Sequence, residues 1–241
     1  MTVTVAATKG WLRIFASAVA ENEQLLTDLD AAIGDADHGN NLRRGTAAVV
    51  EQLDADLLDA DLLGTDSLGT DSLSTAPPQT IGALLRAAGM TLVSTVGGAS
   101  GVLYGTMLLR MASASDDRAE LSPGDLVGAL RAGLEGVRTR GRADLGDKTM
   151  VDVLAPAIDA LDAALASGES LTDATSTAAI AAQAARDATA PLVARKGRAS
   201  YLGERSAGHV DPGAASAALL FAALAGAIAG PRTVDDPPVT T

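Results

Sequence analysis

The densest polar stretch of the chain is DLDAAIGDADHGNN, residues 28–41. A turn at Gly34 would bring Asp30, Asp35 and Asp37 together as hard oxygen ligands, the donor set that suits Mg²⁺ with coordination positions left open for phosphate. An EF-hand is excluded, because counting from Asp35 puts Gly39 and Thr46 where the motif needs Asp or Asn and the bidentate Glu. The plainer alternative is a tight Gly turn between two helices, capped by Asp and Asn side chains.

Three further stretches have chemical potential. VGGASG, residues 96–101, opens a helix whose first amides can meet an anion, although GxGxxG is not matched and no convincing strand precedes it. The alternative is that Gly97 and Gly98 end one helix and Ser100 caps the next. GRADLGDKTMVDVLAP, residues 141–156, imitates a phosphate-binding P-loop but fails, since Asp147 separates Gly146 from Lys148. Asp147 is then expected to cap the following helix. ARKGRASYLGERSAGHVDPGAAS, residues 194–216, is rich in Arg and Gly and reads as a lid or phosphate clamp using Lys196, Arg198 and Arg205, or else as a solvated loop. The two histidines, His38 and His209, both fall in these stretches, and neither stands in a recognisable triad context. No side chain is assigned a nucleophilic or acid–base role.

The scaffold that must hold these stretches is helical. Hydrophobic residues make up 47% of the 241 residues but aromatics only 2%, so the core is Ala, Leu and Val, which pack helix on helix. The 3.6-residue periodicity predicts eight helices, at about 8–29, 39–53, 79–95, 99–115, 123–139, 149–166, 170–190 and 212–229. Thr91–Val96 is β-branched, yet the spacing of Ile81, Leu84, Leu85, Ala88 and Leu92 assigns it to a helix. The apolar run 214–230, which carries Ser216, reads as a buried core helix opened by Asp211-Pro212 and closed by Gly230-Pro231. Between the second and third helices lie the duplications DADLL-DADLL and GTDSL-GTDSL, too short to be structural repeats. Residues 54–78 are therefore expected to be a partly disordered acidic linker within one domain, 1–230, and residues 231–241 a disordered tail.

The net charge is −12, from 18 basic and 30 acidic residues, a field that repels nucleic acid and anionic membranes. Six of the aspartates belong to the duplications, so half of the charge says nothing about a binding surface. With no cysteine there is no disulfide, thiolate or Fe–S chemistry, and with no leader-like segment the cytoplasm is the expected compartment.

Together, IGDADHGNN, VGGASGVLYGT, GDKTMVDVLAP and KGRASYLGERSAGHVDPGAAS resemble, in that order, the ADP-binding L subunit of dihydroxyacetone kinase, over residues of about 8–230. The resemblance implies a closed barrel of eight antiparallel amphipathic helices, with ADP or ATP and two Mg²⁺ at one end. It implies that Asp30, Asp35 and Asp37 ligate the metals. His38, Gly39, Asn40 and Asn41 are implied to contact the nucleotide, with Ala99 and Ser100 in the phosphate loop. Gly141 and Met150 would line the adenine side, Arg198 would clamp, and Asp211, Pro212 and Gly213 would close the pocket. Asn40 departs from the family, which more often has an apolar residue there. The implied function is a phosphoryl relay from a phosphohistidine donor (M) subunit to dihydroxyacetone on a K subunit. Alternatives are the nucleotide half of an ATP-dependent kinase with exchangeable ATP, or a nucleotide-loaded regulatory module. Whether the chain forms a homodimer stays open.

Overall fold

The structure is a computed structural model describing residues 1–62 and 79–230. The expected disordered tail and residues 63–78 of the expected linker lie outside the described residues. The described part is all-α: α1 (Val5–Glu21), α2 (Glu23–Ile33), α3 (His38–Leu62), α4 (Ile81–Thr95), α5 (Gly98–Ser115), α6 (Pro123–Gly141), α7 (Val151–Ala166), α8 (Leu171–Ala188) and α9 (Pro212–Ala229). A 3₁₀ segment (Arg198–Ser206) and a two-stranded antiparallel pair, β1 (Val3–Thr4) with β2 (Glu120–Leu121), complete it.

Local chemistry starts most of these helices. Thr4, Thr80, Ser170 and Asp211 each accept a backbone N–H from the first turn, and Ser122 and Asp125 form a reciprocal capping box ahead of α6. Pro123 and Pro212 sit at first-turn positions, where no N–H is needed.

Two expectations are corrected. The helix predicted over 8–29 is two helices broken at Asn22, whose side-chain Nδ2 donates to Ala18 O at 2.8 Å and competes with the backbone ladder. The second helix continues past 53 to Leu62, into the segment read as linker. DADLLDADL holds Ala and Leu at helical spacing and has no Gly or Pro to stop it. The Thr91–Val96 stretch is helical through Thr95, with Val96 as the extended C-cap.

Most helices bury one face against their neighbours, while α9 is buried on nearly every side, with Ala214, Ala215, Ser216, Ala217 and Ala218 all inside. α3 packs on α1, α4 on α3, α5 on α4, α6 on α5, α7 on α6, α8 on α7 and α9 on α8, while α9 also returns to α1. Trp11 Nε1 donates to Leu220 O at 2.9 Å across that last seam, and Phe15 meets Tyr104 with ring centroids 5.7 Å apart. The short α2 packs on α3, α9 and the 3₁₀ segment. α9 is long and apolar enough to cross a membrane by length and composition, but Ala214, Ala217, Ala218, Leu220, Phe221 and Leu224 are buried in the core.

The α4–α5 contact depends on two glycines. A Cβ on Gly105 would lie 2.4 Å from Val93 Cγ2 and 2.8 Å from Gly89 O, so the helices touch backbone to backbone. Gly105→Ala is expected to push them apart and lower stability by about 2 kcal/mol, read as a drop in the urea midpoint at unchanged m-value.

Candidate functional site

The loop between α2 and α3 makes the sharp reversal that the aspartates require. Gly34 ends α2 at φ −140° and ψ −136°, and Ala36 takes a positive φ of 61°. The ligand oxygens of Asp30, Asp35 and Asp37 all lie within 4.8 Å of one another. Asp30 is buried and builds the loop: its Oδ2 accepts the backbone N–H of Asp37 at 2.8 Å and of His38 at 3.1 Å. A Cβ on Gly34 would fall 2.0 Å from Asp30 Oδ1, so no other residue fits there. Asp35 is exposed and paired with Arg198 Nε at 2.9 Å. Burial and then the charge of Asp35 raise the Asp37 carboxyl above its ordinary range. Such a cluster of hard oxygens fits Mg²⁺, and the Arg198 guanidinium occupies the position of a partial counter-charge.

These aspartates sit at the rim of a cavity of about 600 Å³, the size of a nucleotide-scale ligand site. It is lined from the end of α2, the starts of α3, α5 and α9, the end of α6, the 148–151 turn and the 196–199 segment. Of the residues singled out from the sequence, Asp30, Asp35, Asp37, His38, Ala99, Ser100, Gly141, Met150, Arg198, Asp211, Pro212 and Gly213 all line it. Lys196 does too, and Arg140 adds a third cation, whereas Arg205 and His209 do not.

Gly39, Asn40 and Asn41 are not in the cavity wall. They occupy successive positions of a helix, 100° apart, so only His38 faces inward. A Cβ on Gly39 would lie 2.2 Å from Glu23 O, which makes this glycine the point where α3 presses on α2. Asn40 is exposed. Asn41 is buried, accepts from Arg44 Nη2 at 3.1 Å and holds Asp37 by a hydrogen bond that opposes that residue's raised pKa. Arg44 in turn donates to Thr95 O, tying the Gly97-Gly98 turn to the aspartate loop. That turn needs its glycine, since Gly98 has φ +72°. Ser100 does not cap α5, whose N-cap is Gly97.

Asp147 likewise does not cap α7. Its Oδ2 accepts Asp144 N at 2.9 Å and closes the loop, while buried Asp152 takes the N–H groups of Gly146 and Thr149. Lys148 is 1% exposed and spends its three donors on the carbonyls of Ser206, Leu192 and Ala190 at 2.7, 2.9 and 3.2 Å. The rejection of a P-loop therefore stands on geometry: this ammonium is a bracket inside the wall, and burial pulls its pKa down against the charge of Asp211.

Asp211 caps α9, with Ala214 N donating to its Oδ2 at 2.7 Å, and burial raises its pKa to about 7 from 3.8. Through pH 4–7 the folded chain keeps a proton here that the unfolded chain releases, so this group makes stability fall as pH rises. Asp211→Asn keeps an oxygen for the cap and removes the titration. Urea unfolding without metal or nucleotide is expected to show the variant gaining on the wild type by about 1–3 kcal/mol between pH 5 and pH 7.5. A constant difference would refute the raised pKa.

An all-helical domain in which three carboxylates and four cationic side chains, the carbonyl-caged Lys148 among them, line one nucleotide-sized cavity has the chemistry of a site for a divalent metal and a phosphate-bearing ligand. The comparisons narrow that reading. The DAK2 domain model matches residues 64–226. The chain is 45% identical over 218 residues to the ADP-binding subunit of PEP-dependent dihydroxyacetone kinase 1 of Listeria innocua, covering 89% of this chain and 92% of that protein. To the ADP-binding subunit of the Escherichia coli PEP-dependent dihydroxyacetone kinase it is 41% identical, covering 89% and 93%. The crystal structure of the dihydroxyacetone kinase from C. freundii in complex with AMP-PNP and Mg²⁺ superposes with a TM-score of 0.62 at 27% identity, over 93% of this chain and 34% of that one. The chain belongs to the DAK2 domain family.

The sequence did not single out Lys148, Asp152 and Tyr104 as functional residues. A usable signal existed for Ser216, which is a lone hydroxyl in the otherwise apolar stretch 214–230. For Lys148 it was scarcity, since the chain has only Lys9 and Lys196 besides.

Proposed function

We propose that this chain is the nucleotide-holding subunit of a phosphoenolpyruvate-dependent dihydroxyacetone kinase, relaying a phosphoryl group from a phosphohistidine donor subunit to dihydroxyacetone on a K subunit. The observation that carries this is the coverage: the ADP-binding subunits match from end to end, at 92% and 93% of their length, whereas the larger kinase chain is matched over 34%. The helix packing order, in which each longer helix packs on the next and α9 returns to α1, supports a closed barrel of the eight longer helices. It also supports one domain over residues 1–230. The cytoplasm fits an enzyme of small soluble metabolites.

In this reading Asp30, Asp35 and Asp37 hold two Mg²⁺, which when bound supply the positive charge that offsets the nucleotide phosphates. Arg198, Lys196 and Arg140 add fixed positive charge at the cavity wall, and Ala99 and Ser100 present the first turn of α5 to anionic oxygens. Met150 and Gly141 give the apolar wall suited to a base. Pro212 and Gly213 form the wall at the start of α9. Phosphoryl transfer asks little else of the protein than positioning and charge.

The test is to purify the chain with Mg²⁺, dialyse it exhaustively, denature it in acid and identify the released nucleotide. Near-stoichiometric ADP is expected. An empty site that exchanges ATP freely would replace the relay with an ATP-dependent kinase half.

A further inference from the structure

Beneath the aspartate loop three helices meet through hydroxyls. Ser216 of α9 is fully buried, and its Oγ lies 3.0 Å from His38 Nε2 at the start of α3 and 2.8 Å from the Tyr104 hydroxyl of α5. It also lies 3.0 Å from Gly213 O, one turn back on its own helix. Tyr104 is 2% exposed and has no other hydrogen-bond partner among the described residues.

The positions of the protons follow from counting. Two oxygens 3.0 Å apart repel unless a proton lies between them, and the Gly213 carbonyl has none, so the Ser216 hydroxyl donates to it. That uses the only proton Ser216 has. Its remaining lone pairs then accept from both other neighbours: Tyr104 donates its O–H, and His38 must bring its own proton on Nε2. Among the described residues no buried side-chain nitrogen or oxygen lacks a partner. His38 Nδ1 has none, so it is open, and His38 lines the cavity.

We propose that Ser216, backed by Tyr104 and Gly213, is a positioning residue of the ligand site: it fixes His38 as the Nε2–H tautomer and presents the bare Nδ1 to the cavity as a hydrogen-bond acceptor. An acceptor there receives an O–H or N–H group of the ligand and turns away an ionised phosphate oxygen. The identity of that ligand as a nucleotide rests on the function proposed above; the tautomer rests on the hydrogen bonds alone. His38 thus selects for the hydroxyl- or amine-bearing part of the molecule, while the aspartates and cations govern the phosphates.

The chain has only two histidines, so the full-length protein labelled with ¹⁵N-histidine gives a readable long-range ¹H–¹⁵N spectrum, with His209→Gln as the assignment variant. At pH 8, without metal or nucleotide, His38 is expected to show a single species protonated at Nε2. Ser216→Ala, which suits the Ala-rich α9 but leaves the buried Tyr104 hydroxyl and His38 Nε2 without their shared partner, is expected to give both tautomers, to stay folded with a melting temperature lowered by several degrees and to weaken Mg²⁺-dependent ADP binding roughly tenfold by calorimetry. Tyr104→Phe is expected to shift the tautomer in the same direction but less. A wild-type His38 carrying its proton on Nδ1 overturns the proposal whether or not the variants fold, and so does an Ser216→Ala protein with unchanged tautomer and affinity. Wild type with the expected tautomer but no ADP binding would instead overturn the nucleotide reading.

Discussion

Asp35→Asn combined with Asp37→Asn is expected to abolish Mg²⁺-dependent nucleotide retention and to lower phosphoryl transfer at least ~10³-fold, since charge neutralisation carries most of the catalysis in this chemistry. The same double variant is expected to fold at least as stably as the wild type. Asp35 is exposed, and its ion pair with the largely exposed Arg198 is worth well under ~1 kcal/mol. Against that small loss stands relief of the strain in Asp37, whose carboxyl is pushed up by burial and by its acidic neighbours. Activity and stability should therefore move in opposite directions, which separates loss of a ligand set from loss of fold. ADP titration calorimetry with and without Mg²⁺, beside a urea unfolding curve, reads both. Retained Mg²⁺-dependent ADP binding would refute the metal assignment. Asp30→Asn is a different experiment: Asp30 Oδ2 receives two loop amides, so that variant disturbs the loop itself.

The contrast among these three aspartates marks what was legible in the sequence. Residue type and spacing sufficed for convergence, because a short Gly turn leaves carboxylates at 30, 35 and 37 few places to go. They could not tell the structural carboxylate from the two at the rim, since burial of Asp30 is a tertiary fact. Adjacency misled at 39–41. Next to a ligand loop, consecutive polar residues look like a contact set, but α3 starts at His38 and turns Gly39 onto α2 and Asn40 into solvent. Helix positions were readable wherever Gly, Pro or a capping residue stood. They were not at Asn22, where a single side-chain-to-backbone hydrogen bond breaks the helix with no Gly or Pro to mark it. The His38–Ser216–Tyr104 cluster joins residues 112 and 178 positions apart, beyond the reach of any local pattern.

Lys148 belongs to that tertiary class, and its removal is expected to cause the largest loss of stability of any single change in the site. Lys148→Met keeps the aliphatic stem but leaves the carbonyls of Ala190, Leu192 and Ser206 without their shared donor. Ala190 O keeps the Gly208 N–H at 2.8 Å, so the loss falls on the carbonyls of Leu192 and Ser206; at about 1–3 kcal/mol for each unsatisfied buried acceptor, the variant should lose about 2–5 kcal/mol and roughly 10 °C in melting temperature. The loss should concentrate in the segment that the ammonium ties down, residues 190–206, seen as faster amide exchange there than in α4 and α5. That segment carries Lys196 and Arg198 into the cavity wall, so nucleotide affinity should fall although Lys148 itself gives its hydrogen bonds to carbonyls. Asp211 supplies an independent sign. Lys148 is the one cation that lowers the pKa of Asp211, so its removal should raise that pKa further and steepen the fall in stability with pH across 4–7. A P-loop-like lysine would behave otherwise: its loss would weaken binding and leave stability, exchange and the pH slope untouched. Carbonyl caging and phosphate binding are thus distinguished by unfolding measurements made with no nucleotide present.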